Sequence, residues 1–302
     1  MRRVLVLCGF LLFLTAEQTA HAQPVEEFYR GRNVTLTVGY STGGGYDTYA
    51  RILARHMGRH IPGNPTIVVQ NAPGAGSMRA ANTIYNVAPK DGSAFGMVGR
   101  GIALEPLIGT SPAQFEATKF TWLGSGADEA AVVVIRSEAG IRSWSDMISK
   151  PFTVGGEGTG SDPDVYALML RNVFGVKLKL VSGYPGTTEM ALAIERGEVD
   201  GHSTSWTAVK VAHPDWRPQK KINVVVQFSV KRHPEMADVP TVVELARNDE
   251  ERKILSAVVN AAEIGTAFFT TPGAPPDRVE ALRRAFDATM KDPEFLAEAE
   301  RS

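Results

Sequence analysis

Cysteine is almost absent from this chain of 302 residues. The single one, Cys8, falls in a stretch that reads as an export signal. Met1-Arg2-Arg3 is a basic start, Val4 to Leu14 is an apolar run of 11 residues, and Ala20-His21-Ala22 suits a signal peptidase. Cleavage is expected after Ala22. The run is too short for a membrane anchor, which needs about 20 apolar residues. Without Cys8 the remaining chain has no thiol, which excludes disulfides, thiolate catalysis and cysteine-ligated zinc. A dominant charge is also missing. Removing Arg2, Arg3 and Glu17 with the signal leaves 30 basic against 32 acidic residues. No net basic field exists to hold nucleic acid or an anionic membrane. No later stretch is apolar and long enough to span a bilayer, and there is no tandem repeat.

What the chain does have is alternation. Val34 to Val38 reads as a strand, and Tyr46, Tyr49, Ala50, Leu53, Met57 and Ile61 then recur at helical spacing. Thr66–Val69 and Ala94–Val98 follow as strands. After Trp122 the pattern restarts with Ala131–Ile135, Phe152–Val154, Leu178–Val181, Val199–Ser203 and Ile222–Val226. Asp162 is expected to cap the helix after the fifth of these eight strands, Pro163 suits its first turn, and Gly175 suits its end. A last helical region is expected from Pro276 to Met290. Strands alternating with helices imply α/β architecture with parallel, covered sheets. About 280 residues suffice for two domains.

One unit recurs: strand, glycine-rich loop, helix start. It appears at residues 39–47, 71–78, 155–163 and 183–188, twice in each half. The first turn of a helix has four N–H groups without partners, and its dipole adds about half a positive charge. Glycines before that turn let a ligand reach bare backbone, so the unit is an anion site that needs no lysine or arginine. In open α/β sheets such loops lie at the carboxyl ends of the strands. Two facing sheets would put four of them around one cleft, with a small carboxylate as the expected guest. The plainer explanation, that βα turns need glycine anyway, is adequate for one loop and less so for four.

Other chemistries fit less well. Gly39 and Gly44 have P-loop spacing, but Gly45 stands where lysine is required. Gly43 and Gly45 begin a dinucleotide fingerprint that Thr48 breaks. Gly39-Tyr40-Ser41-Thr42-Gly43 matches the G-x-S-x-G of serine hydrolases, and Asp200 with His202 or His213 follows in the right order. Only Gln23 to Asn33 precede the first strand, leaving no upstream loop for an oxyanion hole, and Gly44, Gly45 and Tyr46 delay the helix. An exported esterase using Ser41 is therefore the rival reading. His56 and His60 lie i, i+4 on one helix without the glutamate of a zinc protease, and are expected to face solvent beside Arg55 and Arg59. Asp162-Pro163-Asp164 lacks the ligand spacing of a calcium loop. Arg79 and Arg100 lie near the loops, where each could pair with a carboxylate or sit on the surface.

Val38 to Asp47, Val69 to Ser77 and Ala88-Pro89-Lys90-Asp91-Gly92 resemble the Bug family, the extracytoplasmic solute receptors of tripartite tricarboxylate transporters. Gly155 to Ser161, Tyr184-Pro185-Gly186-Thr187, Gly197-Glu198-Val199-Asp200, Asp238-Val239-Pro240-Thr241 and Pro272-Gly273-Ala274-Pro275 continue the match in order. The resemblance implies a type II periplasmic binding protein: two α/β lobes, a hinge and an interlobe ligand cleft. The lobes would span 24–124 with 248–302, and 125–247. It implies a monomeric periplasmic receptor that hands a small carboxylate to membrane permease subunits, with no catalytic residue, cofactor or metal. Ser41, Thr42, Gly44, Gly45, Tyr46, Asp47, Gly76 and Ser77 would form the first-lobe site, facing Thr159, Gly160, Ser161, Tyr184, Gly186, Thr187 and Asp200; Arg100 joins them as a nearby positive charge. A sensor of the same fold is a further alternative. The chain departs from the family in carrying Tyr-Ser-Thr where prolines are usual, and in stopping at Ser302, where relatives continue for a strand and a helix.

Overall fold

The computed structural model describes residues 23–103, 105–107, 112–126, 130–262 and 264–301. The expected export signal, with Cys8, lies outside the described residues. The strands are β1 (Asn33–Val38), β2 (Thr66–Asn71), β3 (Ala94–Met97), β4 (Thr121–Ser125), β5 (Ala131–Arg136), β6 (Phe152–Gly155), β7 (Leu178–Val181), β8 (Gly201–Ser205), β9 (Ile222–Phe228) and β10 (Ala267–Thr270). They form two five-stranded sheets, ordered β2-β1-β3-β10-β4 and β7-β6-β8-β5-β9. The chain passes from the first sheet to the second between β4 and β5, and returns between β9 and β10.

Alternation in Asn-Val-Thr-Leu-Thr-Val puts Val34, Leu36 and Val38 fully inside, against Leu53 and Met57 of the helix Gly45–Met57. β5 is different. All of Ala131 to Ile135 is buried, with Val133 and Ile135 in one core cluster and Val132 and Val134 in another. A strand covered on both faces reads as a continuous apolar run. The helix Asp162–Phe174 ends as expected at Gly175, in the left-handed region at φ 72°. Its cap is Ser161 rather than Asp162: the Ser161 hydroxyl accepts the N–H of Asp164, and the Asp162 carboxylate turns to the opposite lobe.

The sheets are mixed, not purely parallel. β1 pairs in parallel with β2 and β3, but β10 is antiparallel to β3 and β4. Likewise β6 is parallel to β7 and β8, while β5 is antiparallel to β8 and β9. The two strands of reversed sense, β5 and β10, are those that arrive from the other lobe. They enter at the end of the sheet facing the cleft, where Ala131 and Thr266 lie, so they run against the strands that finish there.

The helix Asp249–Ala262, placed with the first lobe by the boundary at 248, instead packs Leu255 and Val259 into the second sheet's core. The chain rejoins the first sheet only at Ala267. His56 and His60 do not face open solvent. His56 Nε2 lies 2.6 Å from Glu298 and His60 Nε2 lies 2.8 Å from Asp292, so both fasten the C-terminal segment to the first lobe. Arg59 Nε bonds Asp292 as well, at 2.9 Å.

Phe269 of β10 is fully buried between Phe120, at 4.2 Å between ring centroids, and Trp122, at 5.4 Å. It joins the returning strand to β4. Phe269→Ala is expected to cost about 3–5 kcal/mol of first-lobe stability, read as a lower denaturant midpoint in equilibrium unfolding.

Candidate functional site

Three of the four glycine-rich units line a common cavity between the sheets. After β1 the chain passes Tyr40 and Ser41 and starts its helix at Gly45, earlier than expected. Gly44 is the extended cap residue, and no side chain caps that turn. That uncapped turn lines the cleft through Gly44, Gly45 and Tyr46. Asp47 braces the loop from behind. Its carboxylate is buried and accepts from Gly43 N–H at 2.8 Å, Arg51 Nε at 2.9 Å and Asn71 Nδ2 at 2.9 Å. Burial pushes this carboxyl up, but those bonds outweigh it and hold it below the usual range.

Across the cleft stand Glu157, Asp162, Pro163 and Tyr166 from the loop and helix after β6, and Thr187 at the next helix start. A fifth junction supplies Ser203, Thr204 and Ser205 at the end of β8; Ser205 caps the helix Trp206–Ala212 by accepting the Ala208 N–H at 2.9 Å. The cavity encloses about 600 Å³ of non-atom space, counting its mouth. Tyr40, Tyr46, Tyr49 and Tyr166 give it aromatic walls.

The lobes are closed on each other. Ser41 Oγ donates to Glu189 Oε2 at 2.8 Å, Arg100 Nε donates to Asp162 Oδ2 at 3.0 Å, and Gly101 N–H donates to Asp162 Oδ1 at 3.2 Å. Arg100 is buried. Burial lowers its affinity for the proton, and Tyr46, Asp162 and Tyr166 more than restore it. Arg79 is exposed.

Of the residues singled out from sequence, Ser41, Gly44, Gly45, Tyr46, Arg100 and Thr187 line the cavity. Gly76, Ser77, Gly160, Ser161 and Gly186 lie behind this lining. The loop 71–78 is a buttress: Gly76 N–H donates to the Glu157 carbonyl at 3.2 Å, and the Ser77 hydroxyl accepts from Gly99 N–H at 2.8 Å. Gly160 packs on Glu105, and Gly186 on Ser41. Thr42 and Thr159 are exposed, with Thr42 Oγ1 3.3 Å from Asn71 Oδ1. Tyr184 packs on the core beneath its loop. Asp200 does not face the cavity: it accepts from Thr153 N–H at 2.8 Å and pairs with Arg136 at 3.0 Å, because it precedes β8 at the end of the sheet away from the cleft. Sequence reasoning missed Tyr40, Tyr49, Glu157, Asp162, Tyr166 and the Ser203–Ser205 run. The last carried a signal, a hydroxyl cluster before a helix start, but no glycine.

The triad order Ser41, Asp200, His202 or His213 does not assemble. Ser41 bonds Glu189, Asp200 is engaged elsewhere, and burial pushes the His202 imidazole down to about 3. His213 stacks on Trp216 at 3.9 Å. His56, Asp292 and Glu294 bring ligand-type atoms within 4.8 Å of one another, but Arg59 already neutralises both acids.

Two α/β lobes closed on a cavity at their loop ends define a two-lobe periplasmic solute-binding protein. The model of the tripartite tricarboxylate transporter family receptor matches residues 49–300, and the chain belongs to that family. An Agrobacterium vitis protein of the TAR-I ttuE-ttuC' intergenic region is 25% identical over 291 residues, 93% of this chain and 78% of that one. The periplasmic binding protein BugD superposes with a TM-score of 0.73 at 21% identity, over 89% of this chain and 86% of BugD. MatC from Rhodopseudomonas palustris, with bound malate, gives 0.68 at 21% identity over 88% and 86%. An R. palustris protein with adipate gives 0.69 at 22% identity over 89% and 86%.

Burial, with Asp162, Asp164 and Glu189 nearby, holds the Glu157 carboxyl well above the usual range. The unfolded chain releases this proton near pH 4.5 while the folded chain keeps it. Stability from this group is therefore full below about pH 4.5 and lost as pH rises. Glu157→Gln is expected to melt with the wild type near pH 4 and above it at pH 7; equal melting at both would contradict the assignment.

Proposed function

We propose that this receptor captures a small carboxylate in its interlobe cleft and presents it, closed, to membrane permease subunits. The observation that carries the reading is the uncapped helix start at Gly44–Gly45, opening on a cavity ringed by hydroxyls of Ser41, Thr187 and Ser203–Ser205. Unpaired N–H groups and hydroxyls hold an anion without a dedicated cation, and here the one cavity arginine is committed to Asp162. Two structures of the same fold have malate or adipate bound, which supports a carboxylate here. Ligand favours closure by its greater affinity for the closed form. Nothing bound is transformed, and Ser41 serves as an interlobe contact.

The test is thermal melting of the chain from Gln23 onward against a panel of organic and amino acids. A ligand at 100 times its dissociation constant adds about 2.7 kcal/mol, a rise on the order of 5–10 °C for a chain of this size. No shift with any carboxylate would remove the ligand class. Export is checked separately: the protein in the periplasmic fraction is expected to begin at Gln23, and a chain still carrying Met1 would count against it.

A further inference from the structure

Four carboxyl groups gather on the second-lobe side of the cavity, and three have their donors. Asp162 accepts from Arg100 and Gly101. Asp164 accepts from Gly158 N–H at 3.1 Å, Ser161 Oγ at 3.0 Å and Ser182 Oγ. Glu189 accepts from Ser41. The fourth, Glu157, is only 6% exposed and lines the cavity, yet its side chain accepts no hydrogen bond from any described residue. Its own backbone carbonyl is pinned across the cleft by Gly76, so the loop cannot easily withdraw the side chain. A buried carboxyl without a donor is costly, and the neighbouring acids add to the cost. Arg100, which lines the same cavity, is already held by Asp162.

We propose that Glu157 is the subsite for a cationic nitrogen, so that the receptor takes an amphoteric ligand, a carboxylate that also bears an ammonium group. The inference rests on the carboxylate reading above and adds the second half of the ligand. The ligand carboxylate meets the open helix start at Gly44–Gly45, and its N–H groups supply the donors that Glu157 lacks. The rival is that Glu157 stays protonated and donates to a second carboxylate of a dicarboxylic acid. The two differ in sign with pH. An ammonium ligand needs Glu157 ionised, so its binding tightens as pH rises. A second carboxylate needs Glu157 protonated, so its binding weakens as pH rises. The groups facing Glu157 through this titration are Asp162, Asp164, Glu189, Tyr40 and, beyond Asp162, Arg100.

The experiment is calorimetric titration of the chain from Gln23 with matched probes, succinate against aspartate and glutarate against glutamate, from pH 5 to pH 8. The amino member of at least one pair is expected to bind on the order of tenfold tighter than its partner, the equivalent of one charge-assisted contact of about 1.4 kcal/mol. Its affinity should rise with pH. In Glu157→Gln that preference should fall to about parity. Equal or tighter binding of the acid without nitrogen, or binding that tightens toward pH 5, would overturn the proposal while leaving the carboxylate receptor intact. If no member of either pair binds at any pH, the carboxylate reading fails first and this one with it. Should the variant not fold, the sign of the pH dependence in the wild type decides alone.

Discussion

The two lobes meet backbone against backbone, and most of the site follows from that closeness. A Cβ on Gly76 would sit 2.7 Å from the Ser161 nitrogen, and one on Gly186 would sit 2.3 Å from Ser41 Oγ. The first approach excludes any side chain, and the second would force the Ser41 hydroxyl from its place. They bring helix starts from both lobes to one cavity, and they let short hydroxyls, rather than long charged chains, reach across. Larger residues would hold the lobes apart and leave each helix start facing water, where its N–H groups already have partners.

Closure also decides the electrostatics. Arg100 and Asp162 come from opposite lobes and are both nearly out of solvent. Apart, each is hydrated; together, each satisfies the other, and Gly101 adds a further donor. Removing one partner from such a pair leaves an uncompensated buried charge, which is why the pair is a condition of closure more than a source of stability. It also withdraws the cavity's arginine from ligand binding. On the proposed reading, recognition of an anion falls to backbone and hydroxyl groups, and Glu157 is the feature that distinguishes one ligand from another.

The topology separates the two lobes. Only two passages join the sheets, before β5 and before β10, and each enters its sheet at the cleft end. Each sheet keeps its own core: Leu36, Leu53 and Phe286 under the first, Val133, Leu170 and Phe228 under the second. The C-terminal segment, tied by Asp292 and Glu298 to Arg59, His56 and His60, belongs to the first lobe.

Much of this was legible from residues alone. The alternation of β1, the apolar run of β5, the glycine loops and the end of one helix at Gly175 are local effects, and local residues state them. β4 and β10 were not legible, since Thr-Trp-Leu-Gly-Ser and Ala-Phe-Phe-Thr are too short to show a period; their strand character comes from neighbours in the sheet. Asp200 looked like a site residue because it ends a familiar motif, yet it sits at the wrong end of its strand. The cap at Ser161 and the outward turn of Asp162 differ by one residue, and Arg100 of the other lobe made the choice. What the sequence determined by itself was where helices start with exposed amides and which stretches must be buried, because those depend on neighbours a few residues away. Only the tertiary structure decided which donor meets which acceptor: Ser41 finds Glu189 across 148 positions and Arg100 finds Asp162 across 62, and the Glu157 side chain finds none among the described residues, because such pairing depends on how two separately folded lobes come together.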